Sequence, residues 1–437
     1  MRDITNGNSC RKIRWSNARL RRRPAGARWC PLSYSGYTAG MFAASRQPLT
    51  VPPDHLGVYL HIPFCVRKCT YCDFVSQPVG LAPALVDRYL TALIREAELR
   101  RPALERPVHS IYIGGGTPTT LTAVQLKRLW EALIVPLPRL PHAEITLEAN
   151  PGTLTPELLA LLAELPITRV SLGAQSFQAA ELATLGRIHA PEAIVDAVTA
   201  LRAVTPAQIN LDLMYALPGQ TVDSWEHTMR QALALAPDHL SCYALIIEDQ
   251  TPLAAQIAAG DLVLPGEEAE ETMGDNLTRA IIREGLVPYE VSNAARLGAH
   301  SRHNLGYWLG RDYLGLGAGA VSALQDVRWR NTADVGHYAA LLDDDTLPVA
   351  YAERLAAPER LLERVMLGLR LHNGFDLAAA EEACGCILSA IAGPAVRAAM
   401  DDRLLERVGP VLRLSARGFA VANTVSARLM AGADAGV

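Results

Sequence analysis

Six short β-branched or apolar runs, each followed by turn residues and then a longer stretch of helical spacing, constrain this chain of 437 residues more than any other feature. The runs cover 57–62, 110–113, 144–148, 169–173, 208–214 and 239–245. Between them, 84–100, 123–133, 191–203 and 222–234 repeat apolar residues at the helical period. Strands this apolar are buried on both faces, so the pattern predicts parallel βα units under a helical layer. Six units predict an α/β fold, an incomplete (β/α)6 barrel. Cys65 follows the first run, Gly114-Gly115-Gly116 the second, Glu148 closes the third, Gln175 follows the fourth and Asp212 lies in the fifth. In such barrels the loops after the strands build one face, so these distant residues are expected to converge.

Beyond Asp275 the pattern becomes mixed through Ala323, then passes an acidic loop at Asp343-Asp344-Asp345 into helical periodicity over 358–371. Residues 404–430 read as a helix, two short strands within 411–421 turning at Arg417-Gly418, and a last helix, which is a winged-helix arrangement. The expected organisation is therefore an Arg-rich extension (1–50), a barrel with its extension (51–323) and a mostly helical, winged-helix-like C-terminal domain (324–437).

Three of the eight cysteines crowd into Cys65-Val66-Arg67-Lys68-Cys69-Thr70-Tyr71-Cys72, one loop leaving a buried strand. Such usage in a long chain is no secreted disulfide framework and fits a reducing compartment, here the cytoplasm. Thiolates this close favour a soft metal centre. A cluster of four irons usually takes four cysteines, so three leave one iron open to a substrate or cofactor. A structural zinc with His61 as fourth ligand is the competing reading, weakened because His61 is expected to alternate to the wrong side of its strand. Cys242 reads as core, and Cys384-Gly385-Cys386 as incidental thiols. With 41 Lys and Arg against 45 Asp and Glu, net charge −4 gives no reason to expect nucleic acid. No apolar run is long enough to span a bilayer.

A CxxxCxxC loop after the first strand with Gly-Gly-Gly-Thr-Pro after the second resembles radical S-adenosylmethionine (SAM) enzymes. Over 57–323, Tyr59-Leu60-His61-Ile62-Pro63-Phe64-Cys65, the segment 114–119, Asn210-Leu211-Asp212-Leu213 and Leu217-Pro218-Gly219-Gln220-Thr221 resemble oxygen-independent coproporphyrinogen III oxidases and their heme-chaperone relatives, the HemW group. The resemblance implies a radical SAM barrel, with a 4Fe-4S cluster on Cys65, Cys69 and Cys72 whose open iron takes the amino and carboxylate groups of SAM. It implies further SAM contacts from Tyr59, from Gly115, Gly116 and Thr117 near the methionyl amino group, and from Glu148. Gln175, Arg187 and Asp212 match the oxidases' contacts to a second SAM. Each has a plainer reading. The glycines suit a tight turn, though their bare N–H groups can also approach a carboxylate; Glu148 and Asp212 suit a strand end or a loop; and Arg187 suits a helix end.

Two features separate the relatives. The oxidases resembled read Cys-x-Cys at the end of the loop, whereas here Cys72-Asp73-Phe74 stands. Arg302-His303-Asn304-Leu305-Gly306-Tyr307-Trp308 matches the HNxxYW motif of the chaperone group, and implies His303 toward heme iron, Tyr307 and Trp308 flanking the macrocycle, and Arg302 near a propionate. The plainer reading of His303 is a hydrogen-bonded histidine in a turn. The expected function is a heme chaperone that holds heme, a 4Fe-4S cluster and SAM and passes heme to an unidentified acceptor protein, any membrane contact coming through that acceptor. The alternatives are an oxygen-independent coproporphyrinogen III oxidase-type decarboxylase and, more distantly, a zinc-binding module. No catalytic residue is assigned, and whether SAM is cleaved productively is left open.

Residues 1–50 carry nine Arg and Lys12 against Asp3 alone, without periodicity or an apolar core of signal-peptide type. The acid-poor leader suits a transit peptide or, as favoured here, an extension upstream of a natural start at Met41. A chain beginning at Met41 is expected to fold and bind its cluster as the full chain does; loss of soluble protein on that truncation would make the leader structural.

Overall fold

The computed structural model describes residues 49–81 and 83–434, so the leader through residue 48, and what was expected of it, lies outside the described residues. All six expected strands form: β1 (Leu56–Ile62), β2 (Val108–Gly115), β3 (Arg139–Ala149), β4 (Arg169–Gln175), β5 (Gln208–Tyr215) and β6 (His239–Ala244). They pair in chain order, every pair parallel. The remaining strands of this sheet are β7 (Val287–Pro288), β8 (Asn293–Ala295), β9 (Tyr313–Leu316), β10 (Val321–Leu324), β11 (Val327–Asn331) and β12 (Val349–Arg354). They extend the sheet at both ends, in the order β12-β11-β10-β9-β1-β2-β3-β4-β5-β6-β8-β7. Strands β9 and β1 are parallel, while β8 on β6 and the run β9 to β12 are antiparallel. The two end strands do not pair, so the barrel is open.

Helices cover the outer face. Val58, Leu60 and Ile62 share one apolar core with Tyr89, Leu90 and Leu93 of the helix Pro83–Leu99 and with Leu126 and Leu129 of Ala123–Leu129. Each fully buried aliphatic side chain contributes about 1.5–3 kcal/mol. Thr122, Thr155 and Thr221 start three of these helices by accepting the amides of Gln125, Leu158 and Ser224. The helix Pro156–Glu164 and the parallel strand β9 were not anticipated.

The expected boundary after Ala323 falls inside β10. The sheet runs on to Arg354, and the helix Val335–Asp343 packs on Pro83–Leu99 in the barrel core. A second core begins only at Leu361 and gathers the C-terminal helices with a three-stranded sheet of Phe375–Asp376, Val411–Leu414 and Leu405–Val408. The winged pair thus turns around Gly409-Pro410, and Arg417-Gly418 lies in the short helix Ala416–Phe419. The sequence pattern cannot show that a hairpin prolongs a sheet begun 250 residues earlier. The acidic residues are not a free loop either: Asp343 pairs with Arg88 and Asp345 with Arg95.

These exposed pairs contribute little. The buried tie is Glu96, fully enclosed, which accepts from Tyr338 Oη (2.6 Å), Asn331 Nδ2 (2.7 Å) and Gly317 N (2.8 Å). It joins the first helix to Gly317 on the near side of the expected boundary and to Asn331 and Tyr338 beyond it. Glu96→Ala would strand three buried donors, so it should cost about 3–5 kcal/mol, read as a lower urea midpoint at unchanged slope. A change under about 1 kcal/mol would show that the tie is dispensable.

Candidate functional site

The cysteine loop is held shut at its base and clamped at its tip. Phe64–Cys65 pairs with Gln77–Pro78, while Arg67 donates to the carbonyl oxygens of Gly186 (2.7 Å) and Arg187 (2.9 Å). Thr70 adds its amide to Leu185 O and its hydroxyl to Thr184 O. Gly186 has φ +71°, and a Cβ there would lie 3.1 Å from Thr70 Cγ2, so glycine lets the segment after β4 press on the loop. Cys65, Cys69 and Cys72 are free thiols, each half-buried. Thr117 Oγ1 lies 3.7 Å from the Cys65 sulfur and Arg187 Nη1 3.6 Å from that of Cys69. Burial pushes the Cys65 and Cys72 thiols up, with the neighbouring sulfurs adding to the rise.

Among the described residues, no three His, Cys, Asp or Glu side chains converge on a point for a single ion. A polynuclear iron–sulfur cluster makes a different demand, because each thiolate meets its own iron. Three free, soft donors in one pinned loop, with Lys68 and Arg187 near to offset thiolate charge, fit that group.

The glycine run passes beside the loop. A Cβ on Gly115 would sit 2.5 Å from the His61 ring, and one on Gly116 2.6 Å from Phe64 O. The free N–H groups expected here are engaged within the protein. Gly115 N donates to Glu148 Oε2 (3.0 Å), Gly116 N to Ile62 O and Thr117 N to Phe64 O. Tyr112 Oη also donates to Glu148, at 2.7 Å, and burial pushes that carboxyl up to about 7. His61 corrects a second expectation, since it shares the inner face with Tyr59. Its Nδ1 lies 2.9 Å from Tyr59 Oη, its Nε2 2.8 Å from Val75 O, and burial lowers its pKa.

Gln175, Arg187 and Asp212 complete the mouth. Gln175 ends β4 in the left-handed region, φ 66°, where the pairing with β5 slips. Arg187 donates to Gly173 O at 2.5 Å; burial opposes its charge, but Tyr71 and Cys69 more than offset this. Asp212 accepts from Ser171 Oγ (2.9 Å) and Asn210 Nδ2 (2.8 Å), and burial raises its pKa. The sequence reading missed Tyr112, Ser171, Asn210 and Ser241. Their signal was a polar residue at every second place in otherwise apolar strands, which marks one shared face.

The HNxxYW segment forms the helix Arg302–Trp308 at the opposite end of the strands. His303 is 2% exposed, its Nδ1 2.9 Å from Ser110 Oγ and its Nε2 2.8 Å from Tyr307 Oη, with Tyr112 packed on the ring. Burial lowers its pKa to about 3. Glu144, paired with Arg169, caps this helix by accepting the amides of Arg302 and His303. Trp308 stacks on Arg370 of the C-terminal domain instead, and the Arg302 guanidinium donates to His142 O. The structure therefore brings His303 and Tyr307 together but not Trp308, and His303 is a hydrogen-bonded histidine on a helix, not in a turn. Both ring nitrogens are engaged, so an axial bond to iron would have to replace one of these hydroxyl contacts.

Six parallel strands with a three-cysteine loop after the first and a glycine loop after the second define a radical SAM barrel. Residues 59–232 match the model of the Radical SAM superfamily, and residues 355–421 that of the HemN C-terminal domain. The fold is shared with coproporphyrinogen III oxidase (HemN) from Escherichia coli, at TM-score 0.76 and 22% identity over 91% of this chain and 94% of that one. Heme chaperone HemW of Mycobacterium tuberculosis (strain CDC 1551 / Oshkosh) is 37% identical over 87% of this chain and 96% of its own length. The HemW of Bacillus subtilis (strain 168) is 34% identical over 84% and 97%. The chain belongs to the HemW family.

Glu148 makes the site pH-sensitive. Its carboxyl titrates near 7 in the folded chain against an ordinary 4.5, so its stabilising contribution is full below about pH 4.5 and is lost as pH rises through 7. Without added cofactor, Glu148→Gln should flatten part of the fall in urea midpoint between these values and gain on the wild type at the upper end. Parallel profiles would mean that Glu148 ionises normally.

Proposed function

We propose that the chain is a cytoplasmic heme chaperone that carries a 4Fe-4S cluster and SAM in the barrel mouth and hands heme to an acceptor protein. One observation carries the cluster: three free thiols in a loop clamped by Arg67, with Thr117 and Arg187 on two of the sulfurs. The chaperone role rests on kinship with proteins named heme chaperone, together with Phe74, which stands 68% exposed where the oxidases resembled have a cysteine. No helix among the described residues is long and apolar enough to cross a membrane.

Cys65, Cys69 and Cys72 would hold the cluster, which supplies an open iron for the SAM amino and carboxylate groups when bound. Thr117 and Gly116 line the approach beside Cys65. Gly115 and Tyr112 hold Glu148 in place, where a buried carboxyl faces an ammonium or hydroxyl donor. Tyr59 is fixed by His61, and Arg187, Gln175 and Asp212 bound the far side, where a second SAM or another polar ligand would sit.

Protein reconstituted anaerobically should contain about four irons per chain, and Cys69→Ser should lose most of them while staying folded. Stoichiometric zinc without cluster absorbance would overturn the assignment. The same preparation should bind hemin and release it to a heme-free acceptor without forming protoporphyrinogen. Many turnovers of coproporphyrinogen III per chain would establish the oxidase reading.

A further inference from the structure

Behind the helix Arg302–Trp308, at the floor of the barrel, lies a group of basic side chains that the mouth does not use. His109 sits at an irregularity in β2. Val108 and Ser110 pair with neighbours on both sides, and the register skips His109 in each ladder. A bulge of this kind re-aims a side chain out of its alternation. The ring enters a slot between two glycines: a Cβ on Gly306 would lie 3.3 Å from His109 Cε1, and one on Gly57 3.5 Å from Nε2. His109 is 5% exposed, yet neither ring nitrogen has a hydrogen-bond partner.

Two neighbours share the defect. His55 Nδ1, on the half-exposed segment leading into β1, is unpartnered, as is Arg311 Nε, whose Cβ lies 4.0 Å from the same point on Gly306. Buried polar atoms left without partners are rare, and several side by side call for a group that satisfies them together. The surroundings decide its sign. Burial first, then His55, Arg302 and Arg311, hold His109 down to about 4, so at neutral pH the ring is uncharged and has one N–H to donate. Two carboxylates act on Arg311: Asp312, already bound to Arg106 and to Gln325 N, and the exposed Asp54. Guanidinium groups repel a bare metal ion and favour an acceptor with two oxygens.

We propose that His55, His109 and Arg311 form a carboxylate-binding site on the floor of the barrel, beside the motif helix. Two sources present that group, a propionate of heme and a free carboxylic acid. The site goes beyond the chaperone reading, and only its heme arm rests on that reading. Arg311 meets the carboxylate through its guanidinium edge, His109 donates one hydrogen bond from inside, and His55 closes the solvent side.

The test uses the reconstituted full chain. Hemin should bind about tenfold more tightly than hemin dimethyl ester, as expected for charge-assisted bonds to one carboxylate. His55→Ala, His109→Leu and Arg311→Gln should each bring hemin toward the ester's affinity. His55 is only half-buried, so its variant serves even if the buried His109→Leu fails to fold. Sodium propionate should shift the His109 ring resonances in wild type and not in Arg311→Gln. A propionate shift without a hemin preference would make the source a free acid, and a propionate shift with no hemin binding at all would keep the site while removing the chaperone reading. Equal affinities for hemin and its ester, together with unmoved His109 resonances, would overturn the proposal.

Discussion

Polar groups on the inside of a water-poor sheet must satisfy one another, and the rest of this structure depends on that requirement. The inner face of β2 to β6 presents Ser110, Tyr112, Glu144, Thr146, Glu148, Arg169, Ser171, Asn210, Asp212, His239 and Ser241. Asn210 is the junction: it donates to Ser171 and Asp212 and its oxygen meets His239. An isolated buried polar group would cost several kcal/mol, so such a lining persists only as a network. The network also divides the interior. Toward the strand ends it leaves carboxyls with raised pKa values facing the cysteine loop, whereas toward the strand starts Glu144 and Arg169 lock the motif helix as a floor.

How much of this was legible in the sequence follows from the same division. The six strands and the cysteine loop were readable because the helix-covered face of each strand is uniformly apolar and because thiol spacing is chemically narrow. Strand β9 was not, since four residues containing Gly315 show no periodicity of their own and their parallel partner is the distant β1. The motif helix was recognised but its direction was not. His303 and Tyr307, four apart, share a face and bond each other, whereas Trp308, five along, is turned by about 140° and meets Arg370. Motif membership located the segment; only the helical angle says what each side chain touches.

Side chains matching one family pattern thus divide between two surfaces. Cys65, Glu148, Arg187 and Asp212 gather at the mouth through contacts made across loops after different strands. His303 belongs to the floor, and Trp308 to the seam with the second core, where Glu290 bridges to Leu371. The basic cluster at His109 was invisible in the sequence because a bulge, which alternation cannot register, turns the residue out of its place.

The strand order carries a consequence for synthesis. β1 carries the cysteine loop, and its outer neighbour β9 leaves the ribosome about 250 residues later, which at ordinary translation speed is roughly 10–50 s. Gly317, Asn331 and Tyr338, the partners of Glu96, emerge later still. Through that interval the strand beneath the three thiols keeps one bare edge, and the first helix holds a carboxylate with none of its final donors. Any metal centre delivered to the nascent loop before Tyr338 emerges would meet an unfinished platform.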